Sequence, residues 1–195
     1  MDNMKRYLTF LLLISVVFLF GCEELTVTPT TTTTSTTLAY DSYFPLIAGR
    51  VITYEVVTDE TTIETWQYIG NVPLSDTLEV FKINVISGGN VTPYYYREDH
   101  TGAYAHGSGS QPTTDPEMIL KYPLEVGTTW TDIHLSRYYD VVTVESITTP
   151  AGTFSCKKVR ISTLLLEYWH YCWYAKDVGM IKEEYGLLYG DSTSR

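Results

Sequence analysis

The sequence lacks the chemical motifs and the basic charge by which many protein classes are recognised. It contains no G-x-S-x-G, no H-E-x-x-H, no phosphate-binding loop and no dinucleotide fingerprint, so it carries none of the common enzyme signatures. Lys and Arg number 13 against 23 Asp and Glu, which gives a formal net charge of −10. An acidic surface repels nucleic acid and anionic lipid headgroups. We therefore predict a protein that is not an enzyme, has no cofactor and binds no nucleic acid.

Long hydrophobic runs are equally scarce, since only residues 7–20 form one. These 14 residues follow Lys5 and Arg6 and precede the small residue Gly21. That order is typical of a secretory signal peptide, and the run is shorter than the about 20 residues of a membrane-spanning helix. We predict that residues 1–21 are a signal peptide removed on export. The loss of Lys5, Arg6 and Asp2 then changes the formal net charge from −10 to −11.

Cysteine is rare too, and the first of the three cysteines ends the hydrophobic run. The stretch Leu19-Phe20-Gly21-Cys22 resembles the lipobox of bacterial lipoproteins, although Phe20 stands where a smaller residue is usual. The resemblance implies that the thiol of Cys22 carries a diacylglyceryl group, and a second or third acyl chain makes such an anchor stable. The alternative is a buried cysteine in a simple anchor helix.

The same resemblance implies a location in the cell envelope. Glu23-Glu24 follows the cysteine in place of the Asp that signals inner-membrane retention in some bacteria. We therefore expect the outer membrane or the cell surface rather than the inner membrane, with the membrane contacted through the lipid on Cys22.

The chain then changes composition twice. Residues 28–37 read TPTTTTTSTT, a run that cannot bury apolar surface, so residues 22–39 are predicted to be a lipidated, disordered tether. Residues 40–195 are rich in Tyr, Thr, Val and Ile and contain alternating runs bounded by turn residues. They predict a single all-β domain, an antiparallel meander of about ten strands that forms a curved half-barrel-like sheet or a sandwich. Only Pro116 to Tyr122 is predicted as a short helical turn.

The β domain contains an internal repeat. Residues 45–53, PLIAGRVIT, match residues 123–131, PLEVGTTWT, at an offset of 78. A weaker match pairs Tyr96, Asp99 and Gly102 with Tyr174, Asp177 and Gly179. The repeat favours duplicated halves at about 43–106 and 121–185, in which Pro-Leu anchors an extended segment and Gly permits a turn into the next strand. The alternative is a coincidence of common turn chemistry.

Three stretches, YFPLIAGRVITYE, PAGTFSCKKV and WYAKDVGMIKEE, resemble a family of uncharacterised bacterial lipoproteins. That family begins with Y-x-P-L-x-x-G-x-x-W-x-Y and ends with Y-A-x-x-V-G-x-I-K. Ile52 replaces the usual Trp, which Trp130 supplies in the second repeat. The resemblance implies an envelope location and an antiparallel β fold similar to lipoprotein carriers, and it offers no catalytic residue to transfer.

The other two cysteines, Cys156 and Cys172, lie on two strands that should form a hairpin. If the turn centres on Leu164, Cys156 faces Cys172, and a cross-strand disulfide becomes the leading hypothesis. Two free thiols or a redox pair are the alternatives.

Among the four histidines, His100 and His106 could form a loop metal site with Glu98 and Asp99. A solvated turn explains the same residues better, and we predict no metal. The excess of aromatic residues, with 17 Tyr and 4 Trp, is more informative, because rings on both faces of a strand cannot share one core. The candidate ligand-contact aromatics are Tyr94, Tyr96, Trp169 and Trp173.

These observations leave three hypotheses. The leading one is an envelope lipoprotein whose β domain binds or scaffolds an envelope protein, glycan or lipid without chemistry. The second is a carrier of lipid or another apolar ligand in a curved β-sheet cavity. The third, a hydrolase of envelope polymer, requires two carboxylates or a His/Ser pair in one cleft.

Overall fold

The computed structural model describes residues 6–11, 40–57, 61–132, 136–163 and 168–187. For residues 6–11, 57, 168–169 and 185–187 it describes the backbone alone. Cys22, His134 and nearly all of the predicted signal peptide and tether lie outside these residues.

The described chain is all-β, as predicted, and contains strands without a helix. The strands are β1 (Arg6–Leu11), β2 (Val51–Val57), β3 (Thr61–Pro73), β4 (Glu79–Ser87), β5 (Asn90–Asp99), β6 (Gly102–Ser108), β7 (Glu117–Lys121), β8 (Thr129–Asp132), β9 (Arg137–Thr149), β10 (Gly152–Thr163), β11 (Tyr168–Ala175) and β12 (Gly179–Leu187). No helix of the described residues is long and apolar enough to cross a membrane.

The prediction of a helical turn at Pro116 to Tyr122 is wrong, because Glu117–Lys121 forms strand β7. Antiparallel pairing with β6 supplies its backbone hydrogen bonds, and the pairing buries Leu120 completely. Tertiary pairing therefore overrides the local preference of a short segment.

Neighbouring strands are antiparallel, and the spatial order is β7-β6-β5-β4-β3-β2-β1-β12-β11-β10-β9-β8. Strand β1 pairs with both β2 and β12, and it lies within the segment predicted to be removed as a signal peptide. With β1 in place the twelve strands are hydrogen-bonded as one continuous sheet. Without it, the other eleven strands form two sheets, β2 to β7 and β8 to β12, one of which is a curled half-barrel. Export with cleavage after Gly21 would leave β2 and β12 as the facing sheet edges.

The main core lies between the two sheets. It takes fully buried aliphatic side chains from both, including Ile52, Ile83, Val141 and Val159. Tyr54 of β2 reaches across the core, and its hydroxyl donates a hydrogen bond to the carbonyl of Met180 in β12, 3.2 Å away. Because both sheets contribute to this core, we expect neither repeat half to be stable alone.

The two P-L-x-x-G segments form the same turn. The amide of Gly49 donates to the carbonyl of Tyr68, whose own amide donates back to Arg50, at 2.8 and 2.9 Å. The amide of Gly127 likewise donates to Val141, whose amide donates to Thr128, at 2.9 and 3.0 Å. Both glycines have positive φ, 81° and 90°, which L side chains rarely adopt. The turns lead into β2 and β8, so each predicted half contains five strands.

The predicted disulfide between Cys156 and Cys172 is wrong. Cys156 pairs with Ala175, and Cys172 pairs with Val159, so the hairpin is shifted by three residues from a turn centred on Leu164. An odd shift exchanges the faces that meet across a strand pair. Both thiols are free and buried, and they belong to different clusters on opposite faces of the sheet.

Candidate functional site

A cavity of about 720 Å³ lies between the two sheets. Its apolar wall is aromatic and aliphatic and comprises Phe44, Val56, Trp66, Val85, Tyr94, Tyr96, Ala105, Ile119, Tyr139, Ile161, Tyr174 and Met180. Its ionisable side chains are Glu64, Glu117, Arg137, His170, Cys172 and Glu183. A concave site that combines apolar walls with convergent polar groups is typical of small-molecule binding.

The N-terminal segment of the domain closes one wall of the cavity. One carboxylate oxygen of Glu98 accepts hydrogen bonds from the Ser42 hydroxyl, the Phe44 amide and the Tyr122 hydroxyl, at 2.7, 3.2 and 2.5 Å. This attachment holds the Phe44 ring 4.9 Å from the ring of Tyr96. A residue outside the strands therefore becomes part of the aromatic wall.

A first polar cluster lies where β7 meets β9. Arg137 donates to Glu117 at 2.6 Å, and the Tyr139 hydroxyl donates to the same carboxylate oxygen. Burial first, and then the adjacent carboxylate, raises the pKa of Tyr139, so the phenol stays neutral and acts as a donor. The opposite charges of Arg137 and Glu117 cancel, so this part of the wall is polar but has no net charge.

A second polar cluster lies on β11 and β12. His170 Nε2 is 2.7 Å from Glu183 Oε1 and 3.1 Å from Cys172 Sγ, and the Cys172 and Glu183 atoms are 3.8 Å apart. Cys172 is 2 % exposed. Burial, aided by the charge of Glu183, raises the pKa of the Cys172 thiol well above its usual range, so the free thiol is neutral and a poor nucleophile.

A β-bulge brings Glu183 into this cluster. In the β11–β12 pair, Trp173 faces Lys182 but Tyr174 faces Met180, so Ile181 is an extra residue. Met180 and Glu183 consequently both line the cavity, while Ile181 packs on the opposite face. With strict alternation, Met180 and Glu183 would point to opposite faces.

The predicted ligand-contact aromatics separate into three groups. Tyr94 and Tyr96 line the cavity with their rings stacked, 6.4 Å between centroids and 10° between planes. Trp173 is on the opposite face, where the Nζ atoms of Lys158 and Lys182 lie 4.8 and 4.7 Å from its ring. Its indole donates to Glu145 at 2.8 Å, and the tryptophan is only 2 % exposed. The side chain of Trp169 lies outside the described part of the chain.

The loop residues that could have formed a metal site are not brought together. His100 is exposed in the β5–β6 turn, Asp99 accepts from Thr101, and Glu98 holds the N-terminal segment. His106 is buried, and its Nδ1 donates to the carbonyl of Thr113 at 2.8 Å. Among the described residues, the group with converging metal-ligand atoms is His170, Cys172 and Glu183.

Sequence reasoning missed this trio and the Glu117–Arg137 pair. The H-x-C spacing on one strand is a signal that places His170 and Cys172 on one face. The contact of Glu183 with this pair could not be predicted, because nothing in the local sequence marks Ile181 as the extra residue of a bulge.

Comparison with known proteins gives one partial match. A family model described as DUF3108-like matches residues 137–186, which contain β9 to β11 and nearly all of β12. No curated protein and no solved structure matches the chain. The similarity therefore covers the strands that carry the His170–Cys172–Glu183 trio, about a quarter of the chain.

Proposed function

We propose that the protein is a cell-envelope lipoprotein, anchored through Cys22, whose β domain binds an amphipathic small molecule in the cavity between its sheets. The observation that carries the proposal is the cavity itself, with its aromatic wall and its grouped polar side chains. A side-chain-filled interior would have favoured pure scaffolding.

The lining favours a particular ligand chemistry. Stacked tyrosines and the Phe44 ring suit an apolar or aromatic body. The charges of Arg137 and Glu117 cancel, and the carboxylates of Glu64 and Glu183 also line the cavity, so a polar head that is uncharged or cationic fits better than an anionic one. We therefore expect an amphipathic ligand rather than the purely apolar ligand of the carrier hypothesis.

Binding also fits the polar groups better than hydrolysis does. In a thiol-based catalytic triad, the cysteine and the carboxylate contact different nitrogens of the histidine. Here both contact Nε2 of His170, so the carboxylate cannot orient the ring for the thiol. The neutral thiol of Cys172 agrees with this interpretation.

Fluorescence titration of the full chain with N-phenylnaphthylamine, an uncharged apolar probe, tests the cavity. We expect saturable binding that Ala105→Leu weakens by filling the cavity and that Tyr94→Ala weakens by removing a wall. Trp173→Phe, on the opposite face, is the matched control and should bind like the wild type. Equal binding by all four proteins, or none by the wild type, would count against the proposal.

The anchoring half is tested separately by labelled palmitate. We expect the label to enter the wild-type chain and not Cys22→Ser, and we expect that variant to leave the membrane fraction. A Cys22→Ser protein that remains membrane-bound would refute lipid anchoring and leave the cavity proposal standing.

A further inference from the structure

We propose that His170, Cys172 and Glu183 bind one Zn²⁺ ion at the wall of the cavity. Their ligand atoms, Nε2, Sγ and a carboxylate oxygen, lie within 4.8 Å of one another. Ion binding does not require the proposed cavity ligand, since the three donors belong to the protein alone.

The spacing of the donors fits a tetrahedral ion. Zn²⁺ binds nitrogen, oxygen and sulfur at about 2.0–2.3 Å, which separates its ligand atoms by roughly 3.3–3.6 Å. The three distances here are 2.7, 3.1 and 3.8 Å. Side-chain movements of about half an ångström would accommodate the ion.

The backbone positions the donors before any ion arrives. His170 and Cys172 are two residues apart on β11 and share a face, and Glu183 is directly opposite Cys172 on β12. The bulge at Ile181 turns Glu183 toward them. Cys172 and Glu183 both approach Nε2 of His170. An ion bound between the three atoms requires this arrangement.

The donor set selects the metal and balances its charge. Thiolate, imidazole and carboxylate together suit Zn²⁺, whereas Ca²⁺ and Mg²⁺ take oxygen ligands. On binding, Cys172 releases its thiol proton to solvent and the S–Zn bond forms. One thiolate and one carboxylate then neutralise the divalent ion, which suits donors that are largely buried. Three protein ligands leave a fourth tetrahedral position for water or another donor.

Cobalt substitution tests the site on the full, untagged chain in detergent. After chelation, Co²⁺ titration should give one ion per chain, a sulfur-to-cobalt charge-transfer band and the visible spectrum of a tetrahedral site, all displaced by Zn²⁺. Cys172→Ser should lose the charge-transfer band, and His170→Gln should weaken binding at least tenfold. Cys156→Ser, which changes the other buried thiol, is the matched control and should keep the band.

Glu183→Gln tests the metal site if Cys172→Ser or His170→Gln fails to fold, as judged by circular dichroism. It preserves the shape of the side chain, so we expect a native fold, a retained sulfur-to-cobalt band and at least tenfold weaker binding. The proposal is overturned if the wild type shows no sulfur-to-cobalt band, if the band survives Cys172→Ser, or if Glu183→Gln binds as tightly as the wild type.

Discussion

At the residue scale, a side chain's function in this domain depends on which face of its strand it occupies. Trp173 and Cys172 are neighbours in sequence, yet one is covered by lysine side chains on one face and the other lines the cavity. Aromatic content alone could not tell which face of β11 lines the cavity, because both faces of this strand are buried.

Gly102 is the residue whose replacement should be least tolerated for steric reasons. A Cβ atom there would lie 2.1 Å from the backbone oxygen of Leu120, and backbone cannot move aside as a flexible side chain can. We expect Gly102→Ala to lower the free energy of unfolding by about 1–3 kcal/mol. Gly88→Ala has open space around the new Cβ and only a positive φ of 56°, so it should cost about 1 kcal/mol. Urea denaturation would measure both, and an equal loss would contradict the steric account.

His106 should make the domain sensitive to mild acid. Burial lowers its pKa from the ordinary 6.5, assisted by Arg97, although the hydrogen bond to Thr113 acts in the opposite direction. Because the unfolded chain then binds the proton more readily, stability falls as the pH drops below about 6.5. We expect His106→Gln to reduce that fall, and the exposed control His100→Gln to leave it unchanged. Unfolding free energies measured at several pH values between 7.5 and 5 would test this prediction. A fall in His106→Gln as steep as that of the wild type would contradict it.

At the scale of elements, the sequence predicts well what local chemistry determines. The P-L-x-x-G turns are located correctly, because Gly49 and Gly127 need positive φ and the leucine after each proline is at least partly buried. The all-β class follows from the alternating runs. What depends on distant partners is not predictable in this way, namely the strand at Glu117–Lys121, the register of β10 with β11 and the bulge at Ile181.

The register of β10 with β11 leads to a covalent prediction. Since Cys156 and Cys172 occupy opposite faces, they cannot bond without a shift of an entire strand. We expect mass spectrometry after mild oxidation to find no intramolecular disulfide, and alkylation of both thiols only in denaturant. A Cys156–Cys172 linked peptide recovered from the native protein would show that the register is different.

At the scale of the whole molecule, the segment before β2 connects the sheets. Glu98 on β5 holds Ser42 and Phe44, and the carbonyl of Ser42 accepts from Asp177 in the β11–β12 turn at 2.8 Å. This segment therefore links the two sheets and also supplies a wall of the cavity.

Tyr122 is central to that link, because its hydroxyl donates to Glu98 and accepts from the Tyr43 amide at 3.0 Å. Tyr122→Phe leaves a part-buried carboxylate and an amide without this partner, so we expect a loss of about 1–3 kcal/mol in unfolding free energy. Tyr138→Phe, at an exposed tyrosine, should change it by less than about 0.5 kcal/mol. Thermal and urea unfolding of the two variants would measure the difference. Similar values for both would contradict the claim that the Tyr122 hydroxyl stabilises the link between the sheets.

The central claim is that the space between the sheets is a binding site. Native mass spectrometry of the full chain, purified from the cells that produce it, tests it most directly. We predict a noncovalent small-molecule adduct on the wild type that is depleted in Tyr94→Ala and retained in Trp173→Phe. A wild-type chain that carries no adduct, or an adduct equally present in both variants, would contradict a binding site in the cavity.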